Sequence, residues 1–341
     1  MKKIGLIGCG AVATYGHIPA ILGTPGLALR AVMDVNSVAL METQQRVPQV
    51  KTFTDLDLFF QSGIDAVVVT SPAPVHFEHV LAAAKYRKPT LCEKPLAMSE
   101  DEAAQMISLM QQANLPLYVG FTYRFSPVAL EVHRLVQERA IGDVRSLRLS
   151  YVWDCHGKFD TRDPERGLSM RRHLRMLEGG PMVDCGVHQI DLARWWTGSE
   201  IIRVTGLGAW VETEQYEVPD HVYLHADHAD GCHTQVEISF TYGHTARDSR
   251  SEFWYELIGT EGLIRYNRQQ RYFELVNRNG TQPLHWAEEK NFHGMYIAFR
   301  DALVNGTPGN MPTGADGLSA TRYARIATEE AIRWRTQSPL R

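Results

Sequence analysis

Lys3-Ile4-Gly5-Leu6-Ile7-Gly8-Cys9-Gly10-Ala11-Val12-Ala13 is the stretch whose reading decides the fold. Residues 3–7 read as a short buried strand, and G-x-G-x-x-A follows at once with a helix beyond it. Gly8 permits the tight turn, Gly10 lets the backbone approach a pyrophosphate, and Ala13 allows close helix-to-strand packing. Ala11 and Val12 then fall at the helix N-terminus, where phosphates are held. A second strand, residues 28–33, ends in Asp34, 21 residues beyond Ala13. A carboxylate there accepts the ribose hydroxyls of an adenosine and repels a 2'-phosphate, so the spacing predicts NAD rather than NADP.

Working outward, strand and helix keep alternating at short spacing, the pattern of a parallel sheet with helices on both faces. Residues 64–70 are β-branched and uninterrupted, as a strand buried on both faces requires. Ser71-Pro72-Ala73-Pro74-Val75-His76 and an alanine-rich helix to about Tyr86 follow. Thr90–Cys92 is another strand and runs into Glu93-Lys94-Pro95. Ser99-Glu100-Asp101-Glu102 is a capping box that opens a helix to about Ala113, and residues 115–121 close the sheet as a sixth strand. Gly8, Asp34, Ser71, His76, Glu93 and Lys94 all fall at the carboxyl ends of strands, the edge on which such sheets bind ligands.

A chain of 341 residues exceeds what one hydrophobic core organises, which predicts two domains. A net charge of -4 carries no electrostatic footprint for nucleic acid or an anionic membrane. Five scattered cysteines without paired spacing predict reduced thiols and a cytoplasmic protein. No apolar run is long enough to span a bilayer. Lys2-Lys3, an apolar run and Ala11-Val12-Ala13 imitate an export signal, but glycines interrupt the run and cleavage would remove the dinucleotide motif.

A second stretch, Gly179-Gly180-Pro181-Met182-Val183-Asp184-Cys185-Gly186-Val187-His188-Gln189-Ile190-Asp191, reads as a helix that carries chemistry. Pro181 suits the first helical position. Val183, Val187 and Ile190 form an apolar stripe, while Asp184, His188 and Asp191 share another line at helical spacing. Histidine titrates near neutrality, and a carboxylate one turn away fixes its tautomer, the arrangement that proton transfer needs. An isolated Asp-x-x-x-His reads first as an ordinary buried helix with a satisfied histidine, since such pairs arise by chance; the rest of the chain argues for the chemical reading.

With Gly8 to Ala13, Asp34, Ser71-Pro72 with His76, Glu93-Lys94-Pro95, and Gly179-Gly180 with Asp184-x-x-x-His188 in this order, the chain resembles the Gfo/Idh/MocA oxidoreductases over nearly its whole length. The resemblance implies an α/β protein: an N-terminal Rossmann dinucleotide-binding domain, residues 1–122, and a C-terminal α+β domain, residues 123–341, with a large, mostly antiparallel open sheet for substrate binding and oligomerisation. It implies that Glu93 holds the nicotinamide ribose, that Lys94 bridges cofactor and substrate hydroxyl, and that Asp184 and His188 face the substrate. A cis Lys94-Pro95 bond is also implied, as is a homodimer or homotetramer built on the open sheet face. Pro181 departs from the family pattern, which has a third glycine there.

In the second domain, a helix of about four turns after Tyr123-Arg124-Phe125-Ser126-Pro127 precedes a strand over residues 143–153. Arg124 reads either as reaching the ligand edge or as a surface ion-pair residue. Trp153 and His156 read as a stacking face and a hydrogen bond for a sugar, with a core tryptophan as the alternative. Arg162, Arg166, Arg171, Arg172 and Arg175 with His173 form a basic run. It is a solvated or subunit-contacting face, or it supplies a guanidinium that selects an acidic sugar. Strands near 201–213, 221–227, 232–242, 252–259 and 262–266 suit an antiparallel sheet, and a helix over 316–336 ends the chain. His221, His225, His228 and His233 with Cys232 match no zinc spacing, so no metal is expected.

The chemistry expected is NAD-dependent hydride transfer to or from a secondary alcohol of a sugar, polyol or sugar derivative, acidic ones included. His188 acts as general acid/base oriented by Asp184, and the Lys94 ammonium stabilises the alkoxide. A glycosidase working by transient oxidation, elimination and re-reduction is the alternative within enzymes. A non-catalytic cofactor sensor is the alternative outside them.

Overall fold

The computed structural model describes residues 1–156, 170–212, 216–248 and 250–337, without the side chains of Met170 and Arg171. The chain folds as two compact units. Met1–Phe125 and Lys290–Ser319 make the first, and Ser126–Glu289 and Ala320–Arg341 the second.

The first unit is built on six strands, β1 (Lys2–Ile7), β2 (Leu27–Met33), β3 (Lys51–Phe53), β4 (Ala66–Val69), β5 (Thr90–Cys92) and β6 (Leu117–Val119). All pairings are parallel and the order is β3-β2-β1-β4-β5-β6. The order reverses between β1 and β4, which places the ligand crevice of such a sheet at the carboxyl end of β1, at Gly8. β4 is buried at every residue, as its unbroken apolar run requires. Local signals fix the helices: Asn36 caps Ser37–Arg46, and Ser99 accepts from Glu102 N at the start of Glu100–Gln112.

A single break after residue 122 does not anticipate the return of Lys290–Ser319 to this unit. The cause is burial: Met295, Tyr296, Phe299, Ala302 and Met311 belong to the same core as Ile4, Leu6, Ala13 and Val32. Thr313 also bridges to Tyr118.

In the second unit, β7 (Val144–Val152), β8 (Ile201–Ala209), β9 (His221–His228), β10 (His233–Ser239), β11 (Glu252–Gly259), β12 (Gly262–Asn267), β13 (Tyr272–Asn277) and β14 (Gly280–Pro283) form one sheet. Its order is β14-β13-β12-β11-β7-β10-β9-β8, antiparallel except for β7 against β10. β9 alternates half-buried and buried along its length, one face on the core and one open. β13 and β14 extend the sheet beyond the strands read from sequence; β14 is exposed throughout and so carries no alternation. The helices Pro127–Gln137 and Val187–Thr197 pack on each other, and the latter lies on β7 and β10.

Candidate functional site

In the first unit, Gly8 sits at φ +94°, where a Cβ would meet Ser71 N at 2.6 Å, so only glycine fits this turn. A Cβ on Gly10 would meet nothing within 4 Å. The backbone there is bare and faces open space, as an approaching pyrophosphate needs. Asp34 is anchored at both oxygens: Cys9 N donates to Oδ2 at 2.6 Å and Asn36 N to Oδ1 at 2.8 Å. These backbone amides hold the carboxylate at the end of β2 beside the glycine turn, so the residues present fit an adenosine dinucleotide.

Ser71, Pro72 and His76 lie at the end of β4. Ser71 Oγ is 2.9 Å from His79 Nδ1, and His76 faces the carbonyls of Ser71 (Nε2, 2.8 Å) and Pro95 (Nδ1, 3.0 Å). His76 therefore ties the loop after β4 to the turn after β5. Burial pushes its pKa down.

That turn carries Glu93 and Lys94, and the Lys94-Pro95 bond is cis. Glu93 Oε2 accepts from Lys94 N at 3.1 Å, and Oε1 lies 2.9 Å from His17 Nε2. Burial raises the Glu93 pKa, but the His17 hydrogen bond and the nearby Lys94 charge outweigh it and hold the carboxyl below its usual value. Sequence reasoning did not single out His17. It stands eight residues after Cys9 with no motif to mark it, and its partner Tyr296 is 279 residues away. Arg124 is also in this unit; its guanidinium pairs with Asp316 at 3.1 Å, and the arginine is buried rather than at the surface.

In the second unit, Gly179 and Gly180 have φ of +125° and +76° and open the segment of Asp184 and His188. Pro181 is helical at φ -59°, as expected. Met182–Gly186, however, is a π-helical turn, and the regular helix begins at Val187. The extra residue breaks the 3.6-residue phase on which the shared line of Asp184, His188 and Asp191 was drawn. Gly186 permits the wide turn, because a Cβ there would meet Met182 Sδ at 2.3 Å.

Asp184 and His188 are both buried. Arg175 Nη1 donates to Asp184 Oδ2 at 2.6 Å, and the Cys185 thiol donates to the same oxygen at 3.4 Å. Burial works against the Arg175 charge, but Asp184 leads the contributions that raise its pKa, so the guanidinium stays charged. It also lies 5.9 Å from the Trp153 ring, which stacks on Tyr151. Arg172 pairs with Glu212 at 2.6 Å and Asp220 at 3.4 Å. Of the basic run, Arg162 and Arg166 and the side chain of Arg171 lie outside the described residues. The ring nitrogens of His156 face Asp154 (2.6 Å) and Glu212 (3.1 Å), so both are engaged within the protein.

The histidine-rich strands form pairs. His225 meets His233 at 3.2 Å, His233 meets Asp227 at 2.8 Å, and His228 bridges Ser199 O and Thr234 Oγ1 inside the sheet. Among the described residues no group of three or more metal-ligating side chains converges.

A doubly wound dinucleotide unit joined to a unit with an open, mostly antiparallel sheet defines a nucleotide-dependent oxidoreductase. The family comparisons agree with both units. The oxidoreductase family with an NAD-binding Rossmann fold matches residues 2–121, and the GFO/IDH/MocA C-terminal domain matches 129–265. The chain belongs to the Gfo/Idh/MocA family and is an NAD-dependent oxidoreductase. A scyllo-inositol 2-dehydrogenase (NAD(+)) of Bacillus subtilis is 28% identical, covering 77% of this chain and 72% of the relative. A levoglucosan dehydrogenase of Pseudarthrobacter phenanthrenivorans is 26% identical over 79% of this chain and 74% of the relative. An oxidoreductase from Agrobacterium radiobacter, solved with NAD+, L-tartaric acid and magnesium, shares the fold with a TM-score of 0.80 at 22% identity, covering 97% of this chain and 96% of that one.

Proposed function

We propose that this protein oxidises a secondary alcohol of a neutral sugar or polyol. The observation that carries the reading is the Glu93–Lys94 turn, which sets a carboxylate and a lysine on the same sheet edge as the glycine turn and the anchored Asp34. NAD, when bound, supplies the hydride acceptor. Gly8, Gly10 and the helix start at Ala11 to Ala13 hold its phosphates, Asp34 its adenosine ribose and Glu93 its nicotinamide ribose.

An alcohol that yields hydride must also lose its hydroxyl proton. His188 is assigned as the base that accepts it, and the Lys94 ammonium stabilises the negative charge on the oxygen. Asp184, four residues before His188 in sequence, forms an ion pair with Arg175, and the pair's role is to fix the electrostatic setting of the imidazole. A neutral substrate is favoured over an acidic sugar because Arg175 and Arg172 are already matched by Asp184, Glu212 and Asp220. A guanidinium so matched offers little net attraction to a further carboxylate.

The open face of the second sheet, with Leu207, Trp254 and Ile258 among its accessible residues, is assigned to pairing with a second copy, giving a homodimer or a tetramer of such pairs. All five cysteines are buried and unbridged, which fits a reducing cytoplasm. A thermal-shift screen over sugars, polyols and sugar acids with NAD present tests the substrate class. Stabilisation by neutral polyols followed by steady NADH accumulation is expected. Stabilisation by sugar acids alone would overturn the neutral assignment, and aglycone release without NADH accumulation would overturn net oxidation. Light scattering at micromolar concentration checks assembly, and a monomeric mass would contradict it.

A further inference from the structure

We propose that His17 is the positioning residue of the Glu93 carboxylate, and that Tyr296 in turn sets His17, the three side chains forming one directed hydrogen-bonded chain. This rests on the reading of Glu93 and Lys94 as the nicotinamide end of the cofactor site.

His17 is completely buried and closes a π-helical turn, Ala13–His17, immediately after the dinucleotide motif. One inserted residue turns the following helix face by about 100°, which changes where residue 17 points. Its Nε2 lies 2.9 Å from Glu93 Oε1 and its Nδ1 lies 2.7 Å from the Tyr296 hydroxyl. Its ring packs edge-on against Phe292, 5.0 Å between centroids, and Gly16 leaves room for that ring.

The direction of the chain follows from donor and acceptor capacity. A carboxylate only accepts, so Nε2 must carry a proton. Burial pushes the Tyr296 pKa well up, so that hydroxyl keeps its proton and has one to give. Its only partner among the described residues is Nδ1 of His17. With Nδ1 accepting, the Tyr296 hydroxyl, both His17 nitrogens and Glu93 Oε1 are all satisfied; with Nδ1 protonated, the Tyr296 O–H would have no acceptor. The neutral Nε2–H tautomer is therefore the one the surroundings select, and it aims a single N–H at Glu93.

Glu93 is held on its other sides too. Lys94 N occupies Oε2, and Gly120 backs the carboxylate so closely that a Cβ would stand 2.6 Å from Oε1. The ionisable groups facing Glu93 are His17 from the first helix, Lys94 and Cys92 along its own chain, His76 from the helix after β4, and Tyr296 behind His17. Burial disfavours its charge, and the His17 hydrogen bond is the largest single contribution opposing burial. Removing that N–H lets the carboxyl protonate nearer neutrality.

The test is NADH binding, followed by fluorescence from pH 6 to 8.5, for the wild type, His17→Gln, His17→Asn and Tyr296→Phe. The glutamine amide nitrogen reaches about where Nε2 stands, and the asparagine nitrogen only where Nδ1 stands. Wild type and His17→Gln should bind NADH with affinities within about threefold of each other at all pH values. His17→Asn should weaken binding by about tenfold at pH 6 while recovering to within about threefold of wild type at pH 8.5. Tyr296→Phe keeps the ring packing and should show the same pH trend in a two- to fivefold form, roughly. It carries the test should His17→Asn fail to fold.

Equal, pH-independent weakening in His17→Gln and His17→Asn would show a packing role and overturn the proposal, as would wild-type behaviour of both His17→Asn and Tyr296→Phe. No NADH binding by the wild type would refute the cofactor reading itself, a failure distinct from these.

Discussion

Asp34→Asn isolates one charge at the cofactor edge with almost no change of shape. The wild-type carboxylate is fixed by two backbone N–H groups, at 2.6 Å from Cys9 N and 2.8 Å from Asn36 N, so it cannot swing away from a 2'-phosphate. At about 5 Å and a dielectric constant of about 80, one such charge against a phosphate of about -1.75 costs roughly 1.5 kcal/mol; a dielectric constant of about 40 doubles that. Removing the charge should raise NADP+ affinity about ten- to hundredfold. Weakening a charge-assisted ribose hydrogen bond to a neutral one should lower NAD+ affinity by about 1 kcal/mol, or five- to tenfold. The NAD+/NADP+ preference should therefore narrow by roughly fifty- to a thousandfold. The asparagine oxygen still accepts one backbone N–H, and the other is orphaned at about 1 kcal/mol of stability, so binding is read well below the unfolding temperature. Isothermal titration with both cofactors measures the ratio. An unchanged ratio in Asp34→Asn, or tighter NADP+ binding by the wild type, would refute the reasoning.

His188→Ala should lower turnover by roughly two to five kcal/mol with NAD+ affinity nearly unchanged, and the near-neutral limb of the oxidation pH profile should vanish. Undiminished turnover with an unchanged profile would make that helix structural. Arg175→Met leaves Asp184 without its guanidinium. Breaking a buried pair costs about 3–5 kcal/mol, reduced here because Arg175 is about one-fifth exposed, so a loss of about 2–3 kcal/mol and a melting temperature lower by roughly 5–10 °C are expected. A melting temperature within about one degree of wild type would show the pair to be inconsequential.

The histidines His76, His79 and His228 have pKa values pushed down chiefly by burial. The unfolded chain thus binds protons first, so stability is full above about pH 6.5 and falls as pH drops below it, by up to about 1.4 kcal/mol per unit for each histidine. Denaturant unfolding at pH 7 and pH 5.5 checks the sign, and greater stability at pH 5.5 would contradict it.

The first unit was legible because its signals are local: a glycine turn of fixed spacing, an unbroken β-branched run and a capping box each report the structure of a few consecutive residues. The motifs that contain Lys94, Asp184 and His188 could be read for the same reason, each spanning a few consecutive residues. What escaped depends on partners distant in sequence or on helix irregularity. Tyr296 is an unremarkable tyrosine until it meets His17, and Arg175 is one arginine among five until it meets Asp184. The two π-helical turns, at Ala13–His17 and Met182–Gly186, have no composition that distinguishes them from ordinary helix, yet they set the direction of His17 and the phase of Asp184.

The return of Lys290–Ser319 to the first unit has a consequence for biosynthesis. The N-terminal 125 residues leave the ribosome long before Met295, Tyr296 and Phe299, which belong to their core, have been translated. The dinucleotide unit is thus begun before the second unit and completed only after most of that unit has been made. A nascent chain stalled before residue 290 holds the whole glycine motif and Glu93 but leaves His17 without its tyrosine, so a truncated product carries a dinucleotide unit with an unfinished core for as long as it persists.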